Sequence, residues 1–444
     1  MMAKNDIQDI GRRLGVRYVS EKDDILYVNA DEPSPELRDD LRDVVGKEVC
    51  FVDDGELLRR EENCSGARVD VVRLSETILD DAVKECCSDV HIEPADAGWR
   101  IRMRRNGTLF LYGHYPEAIY SEFVTRIKIL ARMNIGERRR PQDGRFTHNY
   151  LEQTVDIRVS AIPVKGKEKL VLRLLDRAGL DYSPEGIGLA GENLSLVHTL
   201  LRQPLGLVLI CGPTGSGKTS TLYTFLKILN TVERNILTIE DPVEFAIEGI
   251  NQMQVNPKAD ITFTSGLEAM LRQDPEVMMV GEIRSKETAE IALRSSITGH
   301  LIFSTLHTTD SPSAIIRLMD MGIEPYMISA GVIGIISQRL VRTLCPHCKR
   351  AVHTKDTYFQ IEGTTYEGVG CPHCTDGYSG REAIFEIMPL SESMRALIKP
   401  GVTLDTLRRA ARENGMVPLK EALREKIAKG TIDLDEGYRT IMTM

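Results

Sequence analysis

Four short apolar runs between residues 183 and 344 predict a buried parallel sheet. They are Leu207–Cys211, Asn235–Ile239, Val277–Val280 and His300–Leu306, and helical patterns alternate with them. In an open parallel α/β sheet, ligands bind outside the carboxyl ends of the strands. The polar side chains that follow three of these runs should therefore gather at one edge of the sheet: they are Glu240, Asp241, Glu282 and His307.

A second periodic region, residues 67–182, predicts another α/β domain. Two segments have helical periodicity, and four alternate between apolar and polar residues as strands do. In chain order these segments are 71–83, 88–93, 100–104, 119–133, 155–159 and 169–173. The dipeptide Asn106-Gly107 predicts a hairpin turn after the second expected strand.

The patterns divide the chain into five segments: residues 1–66, 67–182, 183–344, 345–385 and 386–444. The first segment predicts a small α/β unit, and its expected role is docking. Its helix is expected over residues 7–16 and its strand over 25–28. The last segment predicts helices over residues 394–398, 404–412 and 419–428, with glycines where helices should stop.

The eight residues after Leu207–Cys211 match the phosphate-binding pattern G-x-x-x-x-G-K-[ST]. They are Gly212, Pro213, Thr214, Gly215, Ser216, Gly217, Lys218 and Thr219. Glycines let backbone N–H groups point at phosphate oxygens, and the start of the following helix adds partial positive charge. Lys218 can neutralise the β- and γ-phosphates, and the Thr219 hydroxyl can bind Mg²⁺. A chance glycine-rich turn is the alternative, but the flanking strand and amphipathic helix favour nucleotide binding.

Hydrolysis of a bound nucleotide needs Mg²⁺, an oriented water molecule and neutralised charge. Glu282 follows an apolar strand, where ATPases with such a loop place a catalytic carboxylate; a solvated strand end is the alternative. Gly281 precedes it where an aspartate is usual, so the acid on the metal side is expected to be Glu240 or Asp241. His307 is either a phosphate sensor or a histidine satisfied within the core or a turn.

Arginines gather in residues 67–182 although the chain carries a net charge of −9. Arg145 stands at an expected glycine turn and Arg158 within an expected strand, so the directions of both side chains should be fixed. Arginines held in this way can clamp phosphate groups. A solvated charged surface is the alternative for basic residues scattered over a domain.

Two C-x-x-C pairs, separated by residues 349–370, predict a metal site. The four residues are Cys345, Cys348, Cys371 and Cys374. Four thiolates in this order suit tetrahedral Zn²⁺, and a closed site of this kind has no open position for a substrate, so the predicted role is structural. His347 and His373 are additional candidate ligands. A redox pair and unliganded thiols are the alternatives.

Composition narrows the class of protein. The acidic net charge argues against a dominant nucleic-acid surface. No apolar run reaches the length of a membrane span, and the N-terminus lacks the apolar core of a signal peptide. Nine cysteines, several of them in C-x-x-C pairs, fit a reducing compartment. The sequence therefore predicts a cytosolic protein without a transmembrane segment and without a direct nucleic-acid partner.

Segments around these candidate residues resemble motifs of the type II secretion and type IV pilus assembly ATPases. Thr238–Phe245 resembles their aspartate box, Leu271–Arg284 their atypical Walker B segment with its glycine, and Thr298–Thr308 their histidine box. Upstream, Ser88–Pro94 and Arg140–Arg145 are similar to signatures of the family's N-terminal domain. The resemblance covers residues 67–385, and the four cysteines match the assembly and secretion branch.

The resemblance implies a fold class and a machine. The fold would be a RecA-like P-loop ATPase domain preceded by a PAS-like α/β domain, with an inserted Cys₄ zinc subdomain and a helical C-terminus. The chain would form a homohexamer that uses ATP, Mg²⁺ and Zn²⁺, and ATP would close the cleft between the two domains. Arg145 and Arg158 match arginines that approach the nucleotide phosphates in that family.

The same resemblance implies partners and a location. The motor would lie in the cytoplasm, peripheral to the inner membrane, against platform and docking proteins of a secretion or pilus machine. Its hydrolysis of ATP would add pilin subunits to a filament. A nucleic-acid motor and a nucleotide switch with little turnover are the competing functions. The acidic net charge argues against the first, and Glu282 with the histidine box argues against the second.

Overall fold

The computed structural model describes residues 16–22, 25–30, 48–51, 70–95, 98–151, 153–175 and 182–442. The chain divides into two compact units, Met1–Gly179 and Leu180–Met444. The helix expected over residues 7–16 lies outside the described residues except for Val16, which begins a strand. Within the described part of the chain, no helix is both long and apolar enough to cross a membrane.

Unit 1 contains two sheets and two helices among its described residues. Its elements are β1 (Val16–Lys22), β2 (Ile25–Ala30), β3 (Glu48–Phe51), α1 (Val71–Lys84), β4 (Asp89–Ala95), β5 (Gly98–Arg105), β6 (Thr108–Tyr115), α2 (Tyr120–Leu130), β7 (Gln142–Tyr150), β8 (Gln153–Val164) and β9 (Lys167–Leu175). The small sheet has the order β1-β2-β3, and the larger sheet has the order β6-β5-β4-β9-β8-β7. All neighbours in the larger sheet are antiparallel.

Helices α1 and α2 pack against one face of the six-stranded sheet. Their apolar residues share a core with the inward side chains of the strands, including the fully buried Trp99, whose ring stacks on Tyr115 at 4.6 Å between centroids. The side chain of Asp70 caps the start of α1. Helix α2 ends earlier than the sequence pattern predicts, because Arg132 adopts a left-handed backbone conformation with φ of 56°.

Strand β7 is not predicted by the sequence pattern, which places a glycine turn before Arg145. Gly144 lies instead inside the strand, and a Cβ at this position would lie 2.3 Å from the carbonyl oxygen of Ala131. The glycine therefore allows the strand to pass close to the end of α2, and no turn forms there. The prediction that Arg145 stands at a glycine turn is wrong.

Unit 2 is built around one large sheet. Its elements are α3 (Gly191–Leu201), β10 (Gly206–Cys211), α4 (Lys218–Leu229), β11 (Ile236–Glu240), β12 (Asn251–Gln254), α5 (Phe263–Met270), β13 (Val277–Val280), α6 (Lys286–Ile297), β14 (Leu301–Leu306), α7 (Ser311–Asp320), α8 (Pro325–Gly331), β15 (Val332–Leu344), β16 (Lys349–Asp356), β17 (Ile361–Gly368), β18 (Tyr378–Pro389), α9 (Glu392–Leu397), α10 (Leu404–Glu413), α11 (Leu419–Ala428) and α12 (Leu434–Met442).

The seven-stranded sheet has the order β12-β11-β13-β14-β10-β15-β18, and only the pair β15–β18 is antiparallel. Strand β10 lies between β14 and β15 and is buried on both faces. Leu207 and Leu209 point into one core, and Val208 and Ile210 point into the other. This double burial explains the continuous apolar run, and the four predicted strands are all present.

The segment with the four cysteines is inserted between β15 and β18, together with the two-stranded hairpin of β16 and β17. The predicted boundary at residue 385 falls inside β18. Helices α11 and α12 share a small core with the hairpin, which includes Phe359, Leu423 and Ile427. Helices α9, α10 and α11 match the three predicted helices of the tail, and α12 is an additional one.

Candidate active site

The loop after β10 curls because its three glycines adopt backbone angles that other residues rarely adopt. The φ angle is 150° at Gly212, 80° at Gly215 and 88° at Gly217. A Cβ at Gly212 would lie 2.5 Å from Ser216 Oγ, and one at Gly217 would lie 2.8 Å from Gln338 Nε2. Glycine is therefore required at both positions, and the loop leads directly into the N-terminus of α4 at Lys218.

Lys218 is held by its own loop. Its Nζ donates hydrogen bonds to the carbonyl oxygens of Gly212 at 2.8 Å and Pro213 at 2.9 Å. Burial lowers the pKa of Lys218, and the nearby Glu282 carboxylate opposes this effect. The ammonium group thus has neutral hydrogen-bond partners in place of water. Its charge remains available for a phosphate group that enters the loop.

The sheet brings Glu282 and His307 together, as the strand ends predict. Glu282 follows β13, His307 follows the neighbouring β14, and Glu282 Oε2 lies 3.6 Å from His307 Nε2. The hydroxyl of Thr305 donates to the carbonyl oxygen of Gly281 at 2.8 Å, which ties the two strand ends to each other. Glu282 is largely buried, whereas the His307 side chain is 52% exposed.

Arg284 is a partner of Glu282 that sequence reasoning misses. Its Nη2 donates to Glu282 Oε1 at 2.5 Å. The hydrogen bond and the charge of Glu282 raise the pKa of Arg284, and Asp241 adds a smaller contribution through space. Arg284 lies two residues after Glu282 in a segment without regular secondary structure, so no periodicity indicates that the two side chains meet.

Glu240 and Asp241 differ sharply in environment although they are neighbours. The buried Glu240 carboxylate accepts hydrogen bonds from Tyr223 Oη at 2.5 Å, Thr238 Oγ1 at 2.6 Å and Gln252 Nε2 at 3.1 Å. Asp241 is exposed at the end of β11. Of the two acids left open by the sequence, Asp241 is the one whose oxygens face solvent, while Glu240 is engaged by donors of the protein. Thr219 is likewise exposed, in the first turn of α4.

Arg145 and Arg158 lie in unit 1, directly opposite each other on β7 and β8. Arg173 on β9 is the next residue in this row, and its Nε donates to Asp89 Oδ1 at 3.1 Å. Because directly paired residues share one face of an antiparallel sheet, the three arginines form a basic row on the face away from the helices. Arg145 itself is exposed.

The four cysteines converge as predicted. The Sγ atoms of Cys345 and Cys371 are 3.8 Å apart, those of Cys348 and Cys374 are 3.7 Å apart, and all four lie within 4.8 Å of one another. Tetrahedral zinc with bonds of about 2.3 Å requires sulfur–sulfur distances of about 3.8 Å. The thiols present therefore fit a Zn²⁺ ion. The rings of His347 and His373 lie side by side on the surface, 5.0 Å apart, and four sulfurs complete the site without them.

Known proteins resemble this chain along most of its length. Residues 67–439 match the family described as type II/IV secretion system protein. The chain is 44% identical to the putative type II secretion system protein E of Escherichia coli (strain K12), over 83% of this chain and 76% of that protein. It is 41% identical to the type IV pilus assembly ATPase TfpB of Acinetobacter baylyi, over 84% of this chain and 65% of that protein.

Solved structures of ATPases share the fold. The X-ray structure of the Legionella pneumophila ATPase DotB matches with a TM-score of 0.64 and 20% identity, over 84% of this chain and 96% of that one. The crystal structure of the pilus retraction motor PilT with bound ADP matches with a TM-score of 0.58 and 24% identity, over 82% of this chain and 96% of that one. These similarities confirm the predicted fold class.

Proposed function

The chain belongs to the type II/IV secretion system protein family, and we propose that it is a motor that hydrolyses ATP to drive pseudopilus or pilus assembly in type II secretion or type IV pilus biogenesis. One observation carries this proposal. The phosphate-binding loop, Glu282 and His307 meet at the carboxyl ends of three adjacent strands, β13, β14 and β10. A phosphate-binding loop with Lys218, beside the Glu282 carboxylate, supports phosphoryl transfer to water.

In the proposed reaction, each residue at this edge has one task. Lys218 and the loop N–H groups hold the phosphates of ATP. Thr219 and Asp241 would hold Mg²⁺, which would neutralise negative charge on the phosphates. Glu282 orients a water molecule and accepts its proton while the water oxygen bonds to the γ-phosphorus and the bond to ADP breaks.

The other residues support these tasks. His307 lies 3.6 Å from the Glu282 carboxylate, from which it can respond to the γ-phosphate. Glu240, which was one of the two candidates for the metal side, is better suited to positioning because its three protein donors fix the end of β11 next to Asp241. We assign Zn²⁺ to the four cysteines as a structural ion.

The roles of the unit 1 arginines and the hexameric assembly follow from the family resemblance. We propose that Arg145 and Arg158 supply positive charge to the nucleotide phosphates in a homohexamer. The motor would lie in the cytoplasm, peripheral to the inner membrane, with platform and docking proteins as partners and no direct contact with nucleic acid. The direct pairing of Arg145 with Arg158 across β7 and β8 supports the part of the arginines, because two adjacent guanidinium groups on one face of the sheet attract phosphate.

The function is tested by Mg²⁺-dependent ATP hydrolysis of the full chain and of Glu282→Gln. Removing the proton acceptor should lower the rate at least about 100-fold. The affinity for a fluorescent ATP analogue should stay the same, because Gln keeps the size of the side chain. The matched control is Glu287→Gln, which alters an exposed carboxylate in the first turn of α6. Hydrolysis by Glu282→Gln at the wild-type rate would refute the assignment.

The assembly is tested by the hydrolysis rate at increasing protein concentration, with light scattering on the same samples. If Arg145 and Arg158 act only in the ring, specific activity should rise steeply as hexamers form. Arg145→Ala and Arg158→Ala should abolish this rise while the hexamers persist. A constant rate from monomers would contradict the ring mechanism.

A further inference from the structure

Side chains of strand β15 hydrogen-bond to the segment that follows His307. Arg339 Nη2 donates to the carbonyl oxygen of Thr309 at 2.7 Å, and Ser337 Oγ donates to the same oxygen at 3.3 Å. Strand β10 lies between β14 and β15, so these bonds cross the end of the strand that leads into the phosphate-binding loop. Arg339 therefore joins the segment of His307 to the strand on the far side of the loop.

Arg339 is a buried cation without an anionic partner among the described residues. Its side chain is 3% exposed, its guanidinium donates to the carbonyl oxygens of Gln338 and Thr309, and its Nε is buried with no hydrogen-bond partner. Glu386 and Asp310 act on it only through space. Burial lowers the pKa of Arg339 because its charged form is taken out of water. A buried charge that no carboxylate contacts directly is costly.

Arg342, on the same strand, shows how the charge of a partly buried arginine is usually compensated. Its Nε donates to Glu436 Oε2 at 2.8 Å, so its charge is compensated within the fold. Holding Thr309 in place requires only a hydrogen-bond donor, which a neutral side chain could supply. The charge of Arg339 is therefore not explained by the hydrogen bonds that it makes.

The field of Arg339 reaches the phosphate-binding loop. Arg339 Nη1 donates to the carbonyl oxygen of Gln338 at 2.8 Å, and a Cβ at Gly212 of the loop would lie 2.7 Å from that same oxygen. Its charge also helps to lower the pKa of Lys218, after burial. Two cations, Lys218 and Arg339, thus act on the same loop, and neither has a carboxylate bonded to it. Phosphate groups bound in the loop would bring the missing negative charge to both.

We propose that Arg339 is a positioning residue for ATP hydrolysis, which fixes the segment of His307 through Thr309 and whose charge is compensated by the phosphates of bound ATP. This inference rests on the function proposed above. It predicts that the charge weakens the nucleotide-free protein and strengthens the nucleotide complex, because the counter-ion arrives with the ligand.

The test compares Arg339→Met with Arg342→Met, a matched control on the same strand. We expect Arg339→Met to unfold at the same or a higher temperature than wild type without nucleotide, because it removes an uncompensated charge. It should bind a fluorescent ATP analogue at least fivefold more weakly and lower kcat at least tenfold. Arg342→Met should show the reverse: a lower unfolding temperature, because Glu436 loses a partner, and wild-type affinity for ATP.

Two further variants separate the charge from the geometry. Arg339→Lys keeps the charge but loses the fork that reaches Thr309, so it should restore the affinity for ATP and recover only part of kcat. In a double variant with His307→Ala, the losses of kcat should be less than multiplicative, because Arg339 acts through the segment of His307.

Three outcomes would contradict specific parts of these proposals. If Arg339→Met lowers the unfolding temperature as Arg342→Met does and binds ATP like wild type, Arg339 is a structural residue. Multiplicative losses with His307→Ala would overturn the positioning role. A wild-type protein that binds ATP but does not hydrolyse it would refute the proposed function, whereas weaker ATP binding by Arg339→Met would still support the role of the charge.

Discussion

Two regions of unit 2 treat their polar groups in opposite ways. At the nucleotide edge, which we define as residues 212–219 with Glu282 and His307, Lys218 rests on carbonyl oxygens and His307 is half exposed. In the insertion region, which comprises residues 345–377 with α11 and α12, several polar side chains are paired with fixed partners of the fold, and one of them, Glu436, is fully buried. Tyr438, for example, donates to Asp356 at 2.5 Å. Polar side chains whose hydrogen-bond partners a ligand could replace indicate a binding site. Polar side chains bonded to fixed partners within the protein indicate a structural role.

Glu240 shows that this difference depends on environment and not on position in the fold. Glu240 is the last residue of β11, and Glu282 follows the end of β13. These two strands are neighbours in one sheet. Glu240 is 4% exposed and bonded to three donors of the protein, so it belongs with the framework. Predictions at four sites, ordered from the largest expected effect to the smallest, test the comparison.

The zinc site should have the largest effect on stability. Cys371→Ser should lose the single equivalent of zinc and lower the free energy of unfolding by several kcal/mol, because metal binding and folding are coupled. The affinity for ATP should change far less than the stability. Metal analysis and thermal unfolding check this, with Cys86→Ser, an exposed cysteine of unit 1, as the control. Purified wild-type protein with well below one equivalent of zinc would contradict the site.

Substitution of the fully buried Glu436 should have the second largest effect on stability. Its carboxylate accepts hydrogen bonds from Arg342 and Arg439, and Glu436→Gln should lower the free energy of unfolding by about 3 kcal/mol because two arginines lose their counter-charge. Urea denaturation measures the change. ATP hydrolysis should persist wherever the protein remains folded, and a selective loss of activity at unchanged stability would break the comparison.

Glu436 also predicts a pH dependence. Burial opposes its ionisation, but the hydrogen bonds from Arg439 and Arg342 outweigh burial and lower its pKa below the ordinary value of 4.5. The contribution of a carboxylate with a lowered pKa is complete above the ordinary value and is lost as the pH falls through the lowered one. Below pH 4.5, wild type should therefore lose stability more steeply than Glu436→Gln. Equal slopes would show that the ion pairs do not matter.

The pair Glu240 and Glu282 gives the third prediction. Glu240→Gln should lower the free energy of unfolding by about 1–3 kcal/mol, because the amide leaves a mismatched donor among buried donors. Glu282→Gln should leave stability nearly unchanged while it removes activity. Denaturant unfolding measures the stability of both variants, and initial rates of ATP hydrolysis measure their activity. If Glu240→Gln is as stable as wild type and as inactive as Glu282→Gln, then Glu240 is catalytic.

The smallest effect is expected from Tyr223→Phe. The hydroxyl of this buried tyrosine donates to Glu240, and burial together with that carboxylate raises the pKa of Tyr223. Its removal should cost about 1 kcal/mol of stability, since Glu240 keeps two other donors. Tyr326→Phe, which alters a tyrosine that is 67% exposed, serves as the control. Equal stability of the two variants would indicate that the Tyr223 hydrogen bond contributes nothing.

The nucleotide edge could be predicted from the sequence because its residues belong to short local motifs or stand directly at strand ends. The loop 212–219 has a local signature, and parallel strands bring Glu282 and His307 to one edge wherever the intervening chain runs. The four cysteines are equally local, since spacing alone limits which thiols can share an ion. These parts of the fold depend on few residues, and each of them stands close to its partner or at a strand end.

The remaining features depend on contacts that the pattern does not contain. Strand β7 has Gly144 at an inward position because the end of α2 lies close, and the sequence alone does not show that approach. Helix α12 buries Glu436, Gly437 and Thr440, while its apolar residues are at most partly buried, so its inward face does not show the apolar stripe of an ordinary amphipathic helix. In the sequence, Arg339 cannot be told from an exposed arginine, and only the surrounding strands reveal that its charge is buried.

The antiparallel pair of β15 and β18 extends beyond β10, which pairs with β15 only as far as Ser337, so this pair has the geometry of a lever arm. Arg339 and Glu386 lie at its root beside the segment of His307, and the cysteine insertion lies at its tip. From Arg339 to Leu344 the strand extends about 17 Å at about 3.4 Å per residue, so a tilt of about 5° at the root moves the tip by about 1.5 Å. Four sulfurs placed to hold one metal ion, with a small core beside them, would give this arm a stiff end that transmits such a tilt.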